Sequence, residues 1–243
     1  MPEIVYEDNH LIAVNKRSSD LVQGDKTGDE SLDVAVKKYI KEKYNKPGNV
    51  FAGVIHRIDR PVSGVVLYAR TSKALSRMSE VFREKRIRKR YIAVVKEMPP
   101  AEKGELRHYL KKNEKQNRSY AFSDQVRGAK ESLLKYYIAG RSASYYLLVV
   151  DLLTGRHHQI RSQLAAVGCP IRGDLKYGFS RSNRGGGIDL HALQLSFMHP
   201  IRNEPLTITA QPPADSAFRQ IFGHIITDSV LADGPKPEEI AGY

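Results

Sequence analysis

Apolar residues in this chain come in runs of strand length and no longer. Tyr145–Val150 and Gly64–Ala69 are typical, and nothing approaches the roughly 20 residues needed to span a bilayer. A short apolar run bounded by turn residues or charges reads as a strand. On that basis strands are predicted at Glu3–Tyr6, Leu11–Asn15, Gly64–Ala69, Arg90–Val95, Gly104–Leu110, Ser132–Ile138, Ser144–Leu152, Leu190–Phe197 and Pro205–Ala210. Near-helical apolar spacing is confined to Ser31–Tyr44, Ser72–Arg86, His158–Val167 and Ala214–Phe222, with Ser31 as a plausible N-cap and Gly168 as a C-terminal stop. The pattern predicts one α+β domain over residues 1–227: a mixed, mostly antiparallel central sheet with a few flanking helices. Residues 228–243, with Gly-Pro and Pro-Glu-Glu, are expected to be loosely ordered, and Lys111–Lys130 reads as a polar, mobile insertion.

Charge narrows the class of partner. Lys and Arg number 39 against 27 Asp and Glu, a formal net charge of +12. Such an excess favours a polyanion, and nucleic acid is the commonest. The start, Met1-Pro2-Glu3-Ile4, has no basic segment followed by an apolar one, so no secretory signal and no membrane association are expected. The single cysteine, Cys169, can form neither an internal disulfide nor a Cys-rich zinc site, and before Pro170 it reads as a small buried residue. The default is a cytoplasmic protein.

Four clusters carry candidate chemistry. His56-Arg57-Ile58-Asp59-Arg60-Pro61-Val62-Ser63-Gly64 sets a carboxylate between two arginines in a tight loop before an apolar strand. Flanking positive charge favours the ionised carboxylate, which can act as nucleophile or base; a plain Arg–Asp ion pair tying down a loop fits equally. Thr154-Gly155-Arg156-His157-His158-Gln159-Ile160-Arg161 opens a helix with polar residues, which suits an anion, although Arg156 and Arg161 could simply form a solvated face. Adjacent positions on a helix point apart, so His157 and His158 are not expected to share a metal ion. Gly168–Gly178 holds three glycines, a proline and an aspartate in eleven positions and marks a constrained backbone. Finally, six of the eight residues Arg83–Arg90 are basic and lead into Tyr91, a pairing of cations for phosphate with a ring for a base. Ser182–Gly187 reads as a flexible loop able to close over a ligand, or as linker.

In order along the chain these segments resemble the RluA family of RNA pseudouridine synthases. The resemblance is carried by Val5–Lys16, by His56-Arg57-Ile58-Asp59-Arg60 with Ser63-Gly64, and by Arg90-Tyr91-Ile92-Ala93-Val94-Val95. Thr154-Gly155-Arg156, His158-Gln159-Ile160-Arg161, Gly168–Gly178 and the stretch from His191-Ala192 to His199-Pro200 complete it. It implies the pseudouridine synthase fold and isomerisation of uridine to pseudouridine in structured RNA, with no cofactor and no metal. Ribosomal RNA is the first expectation and transfer RNA the alternative, with no obligate protein partner evident. Residue by residue, it implies that Asp59 is the essential carboxylate, Tyr91 the base-stacking tyrosine and Arg161 the arginine that pairs with the aspartate. Arg57 would enter the RNA stack when the target base leaves it. His56, Arg60, Arg86, Arg88, Lys89, Arg90, Arg156 and His158 are the further candidates for RNA contact.

Two positions depart from the family pattern. Lys16-Arg17-Ser18-Ser19-Asp20 stands where Lys-Pro and a nearby glycine are usual, and Gln163 stands where a histidine is frequent. The S4 RNA-binding domain frequent in the family is not expected, because the motifs begin near residue 5. Two readings of other classes stay open at this point: a non-catalytic RNA-binding factor on the same fold, and a hydrolytic N-glycosidase.

Overall fold

The computed structural model describes residues 1–24 and 28–226, so the expectation for residues 228–243 lies outside the described residues. In chain order the elements are β1 (Ile4–Glu7), β2 (Leu11–Lys16), α1 (Leu32–Lys43), β3 (Gly53–Val54), β4 (Ser63–Ala69), α2 (Ser72–Arg83), β5 (Ile87–Val95) and β6 (Lys103–Asn113). They continue as β7 (Arg118–Phe122), β8 (Lys130–Arg141), β9 (Tyr146–Leu152), α3 (Gln159–Ala166), β10 (Leu190–Met198), β11 (Pro205–Thr209) and α4 (Ala217–Ile225), with a short 3-10 turn at Leu175–Tyr177. The class is α+β and the pairing largely antiparallel, as the alternation of strand signals and turns indicated. None of the described helices is long and apolar enough to cross a membrane. Contacts divide the described chain into two compact units, Met1–Arg88 with Ala192–Gln211, and Lys89–His191 with residues 212–226.

In the first unit the strand order is β1-β2-β4-β10, with β3 also on β4 and β11 on β10. Every residue of β2 and of β4 is buried, which explains why both read as apolar runs rather than as alternation. α1 contributes Val36 and Ile40 to this core, and α2 contributes Ala74, Met78 and Val81. Each of the larger of these, Val36, Ile40, Met78 and Val81, contributes roughly 1.5–3 kcal/mol by leaving water. Thr71 caps α2 by accepting the Ala74 N–H at 3.1 Å, and the helix stops three residues short of the predicted Arg86, because Lys85 takes a positive φ of 60°.

The turns of this unit are tied by one carboxylate. Asp8 Oδ1 accepts the N–H groups of His10 and Leu11, both at 2.7 Å, and Oδ2 accepts the Tyr6 hydroxyl at 2.7 Å. His199, fully buried after β10, places Nε2 at 2.9 Å from the same Oδ2, while its Nδ1 accepts the N–H groups of Ile201 and Arg202. Those acceptor duties fix the neutral Nε2–H tautomer.

In the second unit the order is β5-β9-β8-β6-β7, antiparallel throughout. Its core joins Ile92–Val95, Leu147–Val150, Leu106 and Leu134 with Ile160 and Leu164 of α3 and Phe218 and Phe222 of α4. A register shift between Ile138 and Gly140 leaves the bare Gly140 backbone against Ile225 and Phe222 of α4. The expected mobile insertion at Lys111–Lys130 is instead a β-hairpin, formed by the end of β6 and by β7. It escapes notice in the sequence because Ser119, its buried inward residue, is held by hydrogen bonds to Tyr177 and His157 instead of by apolar packing.

At the start of β4, Gly64 has φ +120°, and a Cβ there would collide with the backbone of Ala192. Only glycine satisfies both conditions. Gly64→Ala is therefore expected to cost about 3 kcal/mol or more, because two main chains must separate. Urea unfolding of the variant checks this; a midpoint equal to wild type would refute it.

Candidate active site

Asp59 lies in the first unit, in the irregular segment between β3 and β4, and is half-buried; Arg57 and Arg60 beside it are exposed. β3 is only two residues long and pairs only with Ala69 and Tyr68 of β4. His56 replaces the missing strand: its Nε2 receives the Leu67 N–H at 3.1 Å, and its ring stacks on Phe82 at 5.1 Å. The segment then turns back through Val62 N–H to Asp59 C=O at 3.0 Å. Arg60 binds outward, through Nε to Ser19 C=O at 3.1 Å and through Nη2 to Asp29 at 2.7 Å.

What clamps the Asp59 loop is Lys16, at the end of β2. Its side chain is 1% exposed, and Nζ donates to the carbonyls of Arg17 at 2.9 Å, Arg60 at 2.9 Å and Val62 at 2.7 Å. An ammonium has three donors, and all three are used. Burial pulls the Lys16 pKa down to about 8, against the opposing pull of the Asp20 and Asp59 carboxylates. Lys16 thus touches the loop through its backbone and Asp59 through its field. In the sequence this lysine stands out only as the end of the Val5–Lys16 segment and the start of a departing one; a cation at the end of a wholly buried strand was the available signal.

Tyr91 lies in the second unit on β5, half-buried, opposite Val150 of β9. Its neighbour Arg90 points to the other face of the sheet, as strand alternation requires. There it pairs with the cross-strand Asp151, Nε to Oδ1 at 3.0 Å and Nη2 to Oδ2 at 3.2 Å, with 4% of its side chain exposed. The sequence expectation of an RNA contact at Arg90 meets a guanidinium turned inward, where it holds the register of the strand that carries Tyr91. Arg86 is paired with Glu84 at 2.6 Å, Arg88 is half-buried, and Lys89 approaches Thr154 C=O at 3.4 Å.

Arg161 is on α3, also in the second unit, and is not on a solvated face. Residues Gln159–Leu164 of this helix are all buried. Gln159 accepts the Thr154 hydroxyl and the Arg156 N–H and donates to Gln163, and Gln163 donates to Leu106 C=O and Ser132 C=O. The Arg161 guanidinium meets Asp174 side-on, Nε to Oδ2 at 2.7 Å and Nη2 to Oδ1 at 2.8 Å. The Tyr177 ring lies 5.0 Å from its centre.

His158, expected at the surface as an RNA contact, is buried. The helix begins one residue later, because His158 takes φ +52° in the left-handed region. That turn also brings the His157 and His158 rings into a stack at 3.8 Å, where a helical pair would diverge. His158 Nδ1 stands 3.0 Å from the Tyr177 hydroxyl. Burial, followed by the charges of Arg161, His157, Lys176 and Lys112, drives the His158 pKa down to about 2. Arg156 is exposed, with Nε on Glu131 C=O at 3.2 Å. Cys169 is buried, as read from the sequence.

A family profile described as RNA pseudouridylate synthase matches residues 10–166. The tRNA pseudouridine synthase C of Haemophilus influenzae is 33% identical, over 95% of this chain and the whole of that one. The ribosomal large subunit pseudouridine synthase C of Buchnera aphidicola is 29% identical, over 92% of this chain and 70% of its own length. Among solved structures, human RNA pseudouridylate synthase domain containing 4 superposes with a TM-score of 0.72 over 93% of this chain and 92% of that one, at 20% identity, a likeness of fold.

Two outcomes follow from this geometry. Lys16→Met removes the ammonium from three carbonyls; those of Arg17 and Arg60 keep the N–H groups of Asp20 and Ser19, while the buried bond to Val62 C=O is lost, so the variant should lose about 1–3 kcal/mol in chemical unfolding. Stability should also fall with acid. His158 stays neutral in the folded chain down to about pH 2, and burial lowers the His199 pKa as well, whereas an unfolded histidine takes a proton near 6.5. The unfolded state therefore binds more protons below about pH 6.5, and the melting temperature is expected to decline from that pH downward. A flat profile between pH 7 and 5 would contradict the assignment.

Proposed function

Because the chain belongs to the RluA-type RNA pseudouridylate synthase family and is thus an RNA-modifying isomerase, we propose that Asp59, Tyr91 and Arg161 carry its reaction. We further propose that its substrate is a transfer RNA. The observation that carries the residue assignment is the local construction around each of the three. Asp59 sits in a loop clamped by a buried ammonium, Tyr91 in a strand held by a buried ion pair, and Arg161 in a guanidinium fixed at two nitrogens.

The reaction breaks the C1′–N1 bond, turns the uracil and joins C1′ to C5, while the C5 proton is lost and N1 gains one. The product has the mass of the substrate. A target inside RNA structure must first leave its stack, at a cost of a few kcal/mol, and exposed Arg57 entering the vacated space offsets part of it. The Asp59 carboxylate then acts at the ribose, by attack on C1′ or by removal of the C2′ proton. On this reading Arg161 serves orientation. The Tyr91 ring stacks on the uracil, worth roughly 1–3 kcal/mol. His56 supports the loop from within, and Arg60, Arg86, Arg88, Lys89 and Arg156 remain the candidates for phosphate. The isomerisation is redox-neutral and transfers nothing between molecules, so the reading needs no cofactor and no partner protein. Transfer RNA is favoured over the ribosomal RNA expected first, since the relative matched along its whole length is named a tRNA enzyme.

Asp59→Asn should bind RNA and release no tritium from uridine labelled at C5, while wild type releases it and leaves the base attached. Turnover by Asp59→Asn would remove this carboxylate from the mechanism, and free uracil from wild type would indicate a glycosidase instead. Tyr91→Phe retains the stack, and its rate reads the part played by the hydroxyl. Pseudouridine mapping of total RNA with and without the gene tests the substrate; a site lost from ribosomal RNA alone would overturn the transfer RNA reading.

A further inference from the structure

We propose that Asp174 is a positioning residue for the isomerisation, acting on the reaction through Arg161. The proposal rests on the reading that Arg161 orients the reacting carboxylate, and it concerns how that guanidinium is itself aimed. A guanidinium on a flexible four-bond arm has no preferred direction of its own. Here two nitrogens of one edge are taken by the two oxygens of a single carboxylate, at 2.7 and 2.8 Å, which fixes both the plane and its rotation. Nη1, on the opposite edge, is thereby directed away from Asp174.

The holding group is itself immobile. Asp174 has 1% of its side chain exposed and Arg161 has 4%. The Asp174 N–H donates to Ile171 C=O at 3.0 Å, and its own carbonyl accepts the N–H groups of Tyr177 and Phe179, both at 3.1 Å. Gly173 and Gly178 close the loop on either side with φ of +86° and +99°. Tyr177 covers the guanidinium, and its hydroxyl is pinned by the Ser119 N–H at 2.9 Å and by His158 Nδ1 at 3.0 Å. The loop that sequence alone marks only as constrained is thus a jig built around one arginine. A counter-ion needed merely to allow burial could sit at either edge of the guanidinium and at the surface. This one is side-on, doubly bonded and embedded in a rigid turn, which is what a positioning role requires.

The test is a double-mutant cycle on the full chain with unmodified RNA. Asp174→Asn keeps the volume and replaces one acceptor by a donor facing Arg161. It is expected to lower kcat about 100-fold, the scale of a misplacement of about 1 Å, with KM for RNA within about threefold of wild type. Arg161→Met should abolish most turnover, and adding Asp174→Asn to it should cost less than about threefold more, because the two act as a unit. Removing both partners leaves no orphaned charge, so the double variant should fold even where Asp174→Asn is unstable. Should Asp174→Asn fail to fold, Asp174→Glu replaces it, with kcat expected to fall about tenfold at an unchanged KM. Wild-type kcat in either Asp174 variant, or losses that simply add in the double variant, would overturn the proposal. Full activity of Arg161→Met would instead sink the reading on which it rests.

Discussion

Lys16, Arg90 and Arg161 are withdrawn from water, and the segments proposed to carry the chemistry are arranged to answer these cations. Lys16 and Arg161 sit in different units and are satisfied in different ways. The Lys16 ammonium, a point charge with three donors, is met by three carbonyl oxygens of two loop segments. The Arg161 guanidinium, a planar fork, is met by a carboxylate that matches its geometry. An unanswered buried charge costs several kcal/mol, so neither loop can move without exposing that cost. Ordering energy is thereby concentrated where it positions Asp59 and Arg161.

Rigidity of this kind suits an isomerase acting on a macromolecule. The substrate supplies the large motion, as one nucleotide leaves its stack, and the protein gains by meeting it with groups already in place. The same logic accounts for Arg90. Turned inward against Asp151, it fixes the register of the strand that carries Tyr91. His158, kept neutral by burial and by the charges around it, serves in the same way by holding Tyr177.

Much of this was legible in the sequence, and the exceptions share a cause. The strands at Leu11–Lys16, Ser63–Ala69 and Tyr146–Leu152 were readable because apolar burial leaves an apolar run. The hairpin that includes β7 was not, because its buried Ser119 is held by hydrogen bonds, which leave no hydrophobic pattern. Family motifs brought forward Asp59, Tyr91 and Arg161. They did not separate charged residues that face solvent from those that face inward. Arg60 and Arg156 are exposed, whereas Arg90 and His158, of equally polar type, are buried. Polarity in a sequence reports the need for a partner and not whether that partner is water, substrate or another side chain. Lys16 and Asp174 escaped for the same reason: each is explained by a partner distant in sequence, Val62 in one case and Arg161 in the other.

The first unit is discontinuous along the chain, and this has a consequence for its birth on the ribosome. The strand that lies beside β4 is supplied by residues after Ala192, more than a hundred positions downstream. At about 5–20 residues per second, the nascent polypeptide spends on the order of ten seconds with one flank of a largely apolar strand lacking its neighbour. An open flank of that composition is a template for wrong pairing. Gly64, where a Cβ would collide with the Ala192 backbone, is what lets the late strand come close enough to seal that flank.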